Sequence, residues 1–185
     1  MTSDPGAIPA TVLRLPDPCL VVLVGAAGSG KSTLAARLFA PDEILSSDAH
    51  RALVSGDETD QAVTKTAFSI LHRRLQRRMA AALRTVVDAT SVTSYARRSL
   101  VRRAAAHRIP AVALVLALDP RTVLARNATR GGRIVPEKAV RRQLDELGRA
   151  LRGPGLDDDG FAGVHVLRTP EALDTLVIEW VSPPT

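Results

Sequence analysis

Val21 to Leu34 read VVLVGAAGSGKSTL, and the reading of the whole chain starts from these residues. The apolar run Leu20 to Val24 predicts a buried parallel strand, and the pattern from Ser32 to about Ala40 predicts a helix. Between them Gly25, Gly28, Gly30, Lys31 and Ser32 fall where a G-x-x-x-x-G-K-[ST] phosphate loop needs them. Ala26, Ala27 and Ser29 complete the loop, and Thr33 follows on the helix. Glycines let the backbone turn tightly, so that successive N–H groups point at a polyphosphate, and the helix start adds partial positive charge. Lys31 is expected to neutralise β- and γ-phosphates, as a catalytic and a binding group, and the Ser32 hydroxyl to ligate Mg²⁺. The expected ligand is ATP or another nucleoside triphosphate. The plain alternative is an ordinary glycine turn into a helix.

With 185 residues there is room for one α/β domain with a small lid. Aromatics make up only 3% against 45% hydrophobic residues, so the core must be built from Ala, Val and Leu. Cys19 is the single cysteine, which excludes an internal disulfide and a cysteine-based metal site. No apolar run approaches the ~20 residues of a membrane span, and a basic-then-apolar secretion signal is lacking. The expectation is a cytoplasmic protein with no membrane partner. The net charge of +6 is compatible with a nucleic-acid partner. Of the 25 basic residues, however, only Lys31, Lys65 and Lys138 are lysine, a bias that a GC-rich genome also produces.

Residues 1–18 are rich in proline and small residues and read as a flexible lead-in, extended or partly disordered, with residues 19–182 as the domain. After the first helix, Glu43 to Ser46 reads as a short strand ending in Ser46-Ser47-Asp48. Ligands of open α/β sheets sit at the carboxyl ends of strands, which puts Asp48 where chemistry is expected. Residues 49–60 read as a helical turn and an acidic turn. A long helix from Gln61 to about Leu83 is expected to face the core with Phe68, Leu71, Leu75, Met79 and Leu83. Arg73, Arg74, Arg77 and Arg78 take the other side, as a solvated face or as one that tracks phosphates. Thr85 to Asp88 reads as a strand, Ser94 to His107 as a helix and Ala111 to Ala117 as a strand. Such alternation specifies a parallel, doubly wound sheet flanked by helices.

From about Asp119 to Ala150 the pattern is a helical hairpin: one helix from Pro120 to the Gly131-Gly132 pair, a second from Pro136. It carries Arg126, Arg130 and Arg133 and reads as an arginine-bearing lid over bound phosphates, or as arginines scattered through an arginine-rich chain. Gly153 to Gly163 reads as an acidic loop and Val164 to Leu167 as a fifth strand. Thr169-Pro170-Glu171 caps a final helix expected to end near Trp180. There is no internal repeat.

Together, GAAGSGKST, SSDAHRALVSGDETDQAVTKTAFSILH, TVVDAT and ARNATRGGRIV resemble the kinase module of bacterial and phage polynucleotide 5′-kinases. The resemblance spans roughly residues 20–180. It implies a P-loop kinase-like fold with a five-stranded parallel sheet, and transfer of the ATP γ-phosphate to a 5′-hydroxyl end of RNA or DNA in end-healing repair. It implies Asp48 as general base, with capping of the following turn as the alternative. Arg51 would hold the phosphate flanking the acceptor nucleoside, and Arg126 and Arg133 would clamp the ATP phosphates, with Arg130 a further candidate. Gln61 would support the acceptor network or start a helix. Asp88 would hold a Mg²⁺-bound water or cap the loop after it.

Two features depart from that family. Ala49 stands where an aromatic tends to follow the base, and the remaining aromatics, such as Phe68 and Phe161, read as core. Asp157-Asp158-Asp159-Gly160-Phe161 only faintly resembles a phosphatase motif. The expectation is a freestanding kinase without phosphatase or ligase partners. A small-molecule kinase on the same scaffold and a nucleotide-dependent binding module are the competing readings. A homo-oligomer is compatible with the sequence.

Overall fold

The computed structural model describes residues 11–49, 64–131 and 134–182. Its first half contains β1 (Val12–Pro16), β2 (Leu20–Val24), α1 (Lys31–Leu38), β3 (Ile44–Ser46), α2 (Thr64–Ala80), β4 (Thr85–Asp88) and α3 (Ser94–Ala105). There follow β5 (Ala111–Leu116), α4 (Pro120–Thr129), α5 (Glu137–Arg152), β6 (Gly163–Leu167), α6 (Pro170–Asp174) and β7 (Val177–Val181).

All five residues of β2 are buried, as in a strand covered on both faces. β2 pairs in parallel with β4 on one side and β5 on the other. β3 and β6 complete a five-stranded sheet of order β3-β4-β2-β5-β6. Alternate β2 side chains supply two separate cores. Val21 and Leu23 pack with Leu34, Ala35 and Phe39 of the α1 side. Leu20, Val22 and Val24 pack with Leu71, Leu75 and Met79 of α2 and Leu100, Val101 and Ala104 of α3. Among the described residues no helix is long and apolar enough to cross a membrane.

The chain leaves β2 towards β3 and leaves β5 towards β6, in opposite directions. The crevice between β2 and β5 is therefore the switch point at which such sheets bind ligands.

Three expectations need correction. The lead-in is extended over Val12–Pro16 but does not stand apart from the domain: β1 pairs in parallel with β7, from Val12 opposite Val177 to Pro16 opposite Val181. Pro16 and Pro18 exclude helix there, but an extended segment at a sheet edge tolerates proline. The final helix does not reach Trp180. Thr169 does cap α6, its hydroxyl accepting the Ala172 N–H at 3.2 Å, but the helix covers only Pro170–Asp174. Val177 to Val181 then alternate exposed and half-buried, a period of two that fits a strand. Trp180 packs edge-on against Phe39, with ring centroids 6.0 Å apart, and the Arg84 guanidinium lies 4.1 Å from its ring centroid. Finally, Leu83 is 45% exposed and not core. α2 ends at Ala80 and the left-handed Ala82 (φ 50°) turns the chain before Leu83 can join the stripe. The acidic turn expected within residues 49–60 and the Phe68 side chain lie outside what the structure describes.

Candidate active site

The loop between β2 and α1 is built around its own lysine. Lys31 Nζ donates to the carbonyl oxygens of Gly25 and Ala26, each at 2.9 Å. Burial is the main force on this ammonium. It lowers the pKa from 10.5 to about 8, with Asp88 opposing the shift and Arg130 adding to it. Lys31 is thus still a cation at neutral pH, held taut inside the loop. Gly28 (φ 87°) and Gly30 (φ 96°) take the left-handed conformation that glycine favours. At Gly28 the space is also closed, since a Cβ would come within 2.5 Å of the Val123 carbonyl oxygen and 2.9 Å of Asn127 Cβ. α4 therefore rests directly on the loop.

The loop is tied down from three other directions. Gly25 N donates to the Thr90 carbonyl at 3.1 Å, anchoring the loop to the segment after β4. Ala27 N donates to Gln143 Oε1 of α5 at 2.9 Å. Ser32 Oγ donates to Asp88 Oδ2 at 2.8 Å. Asp88 lies opposite Ser46 in the β3–β4 register, which brings Ser47 and Asp48 to the same rim. Ser47 to Ala49 continue from β3 in helical geometry, with Asp48 half-buried.

One cavity of about 1840 Å³ takes in the phosphate loop, Asp48, Asp88, Arg126 and Arg130. A pocket for one drug-sized ligand is typically ~300–1,000 Å³, so this space exceeds what one such ligand fills. Arg126 is solvent-exposed on α4, with Nη1 only 3.7 Å from where a Cβ on Gly30 would sit. Arg130 is near enough to Lys31 to depress its pKa. The sequence puts Arg130 behind Arg126 as a candidate, and both line the cavity beside the loop. Arg51, Gln61 and Arg133 lie outside the described residues.

Two residues of the hairpin have no signature in the sequence. The Gln143 contact spans 116 residues and leaves no local signal. Buried Asn127 donates from Nδ2 to the Val135 carbonyl at 2.8 Å and accepts the Val135 N–H on Oδ1 at 3.2 Å, closing the base of the turn between α4 and α5. The acidic loop also differs from expectation, since Asp159 is buried and binds Arg97, Arg98 and Ser94.

The residues suit a magnesium–nucleotide complex. The loop offers N–H groups at a helix start and a buried lysine, and the Ser29 hydroxyl is buried with no hydrogen-bond partner. Ser32 and Asp88 form an all-oxygen pair at its mouth, the donor type a hard cation prefers. Among the described residues no cluster of three or more His, Cys, Asp or Glu could hold a metal unaided. An ion here would share its coordination with phosphate oxygens and water.

A phosphate loop at the switch point of a five-stranded parallel sheet, with an arginine-bearing helical hairpin beside it, defines the P-loop kinase fold. The chain belongs to the AAA domain family, whose model matches residues 20–154. No curated protein sequence matches it. Among solved structures it is similar to a chain of the Pnkp1/Rnl/Hen1 RNA repair complex, at TM-score 0.64 and 18% identity over 75% of this chain and 46% of that one. A gluconokinase from Sinorhizobium meliloti is similar at TM-score 0.53 and 19% identity, covering 86% of this chain and 87% of that one. Kti12 of Chaetomium thermophilum, solved with ADP-AlF3, gives TM-score 0.57 and 18% identity over 84% and 93%. The chain thus spans less than half of the RNA-repair chain but most of the other two. At such identities the likeness is one of fold, and the family carries nucleotide binding.

Proposed function

We propose that this protein is an ATP-dependent polynucleotide 5′-hydroxyl kinase. The observation that carries the reading is a single cavity holding both the phosphate loop and the half-buried Asp48, large enough for donor and acceptor together. The S-S-D-x-x-R element and the likeness to a chain of an RNA repair complex support a polynucleotide acceptor.

In this reading the loop N–H groups and Lys31 grip the triphosphate, and Arg126 and Arg130 neutralise charge that moves towards the leaving group. Asp48 orients the acceptor hydroxyl and takes its proton. The acceptor oxygen forms a bond to the γ-phosphorus, the bond from that phosphorus to the β–γ bridging oxygen breaks, and its electron pair leaves on ADP. Ser32 and Asp88 would hold Mg²⁺, which when bound neutralises the β- and γ-phosphate oxygens. Arg51 would bind the acceptor's phosphate, Gln61 would support that contact and Arg133 would add to the clamp.

A second reading, a small-molecule kinase, is favoured by one observation: Ala49 is exposed beside Asp48 where a base-stacking aromatic would be expected. Transfer from γ-labelled ATP to 5′-hydroxyl RNA and DNA oligonucleotides decides between them. We expect 5′-end labelling that drops by about 10²–10⁴-fold in Asp48→Asn, the range for loss of a general base. No labelling of either polymer, with ATP consumed on small hydroxyl compounds, would establish the small-molecule reading instead.

A further inference from the structure

α2 and α3 stand side by side against the sheet, and neither carries an acidic residue. Between them they carry eight arginines, Arg73, Arg74, Arg77, Arg78, Arg97, Arg98, Arg102 and Arg103. Among the described residues, those turned away from the cavity, Arg77 excepted, have partners in the protein. Arg78 bonds Thr85 and the Arg84 carbonyl, and Arg97 and Arg98 bond Asp159. Those facing the cavity differ. Among the described residues Arg73, Arg102 and Arg103 have no ion-pair partner, and the buried Nε of Arg103 has no hydrogen-bond acceptor.

These arginines follow a continuous path. The large cavity runs from Asp48 past Arg73, Gln76, Ser99 and Arg103. A second cavity of about 270 Å³ shares Gln76, Ser99 and Arg103 with it and continues to Arg102 and His107. At the near end stands Tyr95, which lines the large cavity with 81% of its surface exposed. An isolated exposed hydrophobic residue is ordinary. This one is an aromatic face at the start of a groove of unpaired cations, which is the composition of a single-strand nucleic-acid channel.

We infer that a single-stranded acceptor leaves the catalytic pocket along the groove between α2 and α3. A base near its 5′ end stacks on Tyr95, and Arg103, Arg73 and Arg102 contact successive backbone phosphates. This rests on the polynucleotide reading above and deepens it. Tyr95 then provides the aromatic surface that Ala49 lacks, from a different helix. A mixed-charge groove would repel the backbone at its acidic points, whereas this wall contains none.

The test compares a 5′-hydroxyl oligonucleotide of about twelve residues, as RNA and as DNA, with a nucleoside 3′-phosphate too short to enter the groove. Arg103→Ala and Arg73→Glu should each lower the ratio of kcat/KM for the oligonucleotide over the short acceptor by about tenfold. In equilibrium binding of a labelled oligonucleotide, each should reduce the slope of log affinity against log salt by about 0.7 per lost phosphate contact. Tyr95→Ala should weaken oligonucleotide binding about tenfold, and Tyr95→Phe should restore it. Arg73 is exposed, so its variant keeps the test open should Arg103→Ala fail to fold. Unchanged acceptor ratios and salt slopes in both arginine variants, with wild type active on oligonucleotides, overturn the groove and leave the kinase reading standing. A wild type that labels neither polymer nor nucleoside 3′-phosphate overturns both.

Discussion

Lys31 is a cation folded into a place that disfavours its charge. Its pKa of about 8 lies below the ordinary 10.5, so between those values the unfolded chain binds more protons than the folded one. Stability of the ligand-free protein attributable to this group therefore rises as pH climbs from about 8 towards 10.5. Below about 8 the buried charge costs about 3 kcal/mol, since each tenfold change in acidity is worth ~1.4 kcal/mol. Lys31→Met should then be more stable than wild type at pH 7, with the gap closing as pH rises, in urea unfolding followed across that range. Nucleotide binding runs the other way. A neutral amine attracts phosphate poorly, so ATP affinity should weaken towards tenfold per pH unit above about 8, and Lys31→Met should lose that dependence in calorimetry. A pH-independent affinity in wild type would argue against the buried lysine's lowered pKa. This residue's place in the loop is legible because its neighbours in sequence are its neighbours in space.

Elements are legible where period and capping agree, and misleading where a true local signal ends early. α6 does begin at the Thr169 cap, yet Val177, Ile178 and Val181 are β-branched and Trp180 is bulky, and beyond the short helix the chain is a strand. β1 has little signal of its own, because its hydrogen bonds go to a partner at the far end of the chain. The sequence shows the hairpin as two helices, but not what closes it. Asn127 satisfies both polar backbone groups of Val135 in a buried place. Asn127→Leu should leave those groups unpaired, costing about 1–3 kcal/mol for each. We expect a lower urea midpoint and faster amide exchange at Val135, with β2 still protected. Unchanged exchange at Val135 would mean that the turn is held by something else.

At the scale of the molecule, the site is assembled from segments distant in sequence that converge at the carboxyl ends of the sheet strands. Buried Arg97 shows how the assembly is fastened. It pairs with Asp159 after α5 and donates to the carbonyls of Ser91 and Val92 after β4, the segment that also borders the cavity. A run of three aspartates resembles solvated loop because its partners lie far back in the chain, at 61 and 62 positions' separation. Removing one partner of a buried pair leaves the other uncompensated, so Asp159→Ala should cost about 3–5 kcal/mol. A loss below about 1 kcal/mol by urea denaturation would show the pair to be dispensable.

The bond from Ala27 N–H to Gln143 has a further meaning for how the empty protein waits. A carboxamide oxygen takes up a loop donor that, on the proposed function, a phosphate oxygen would satisfy, so the empty loop carries an acceptor supplied by the chain itself. Any ligand atom that takes this N–H trades one acceptor for another, and most of the ordering of the loop was completed at folding. On the proposed function, a triphosphate that took this N–H would act on α5, 116 positions further along the chain, through the exchange of a single oxygen.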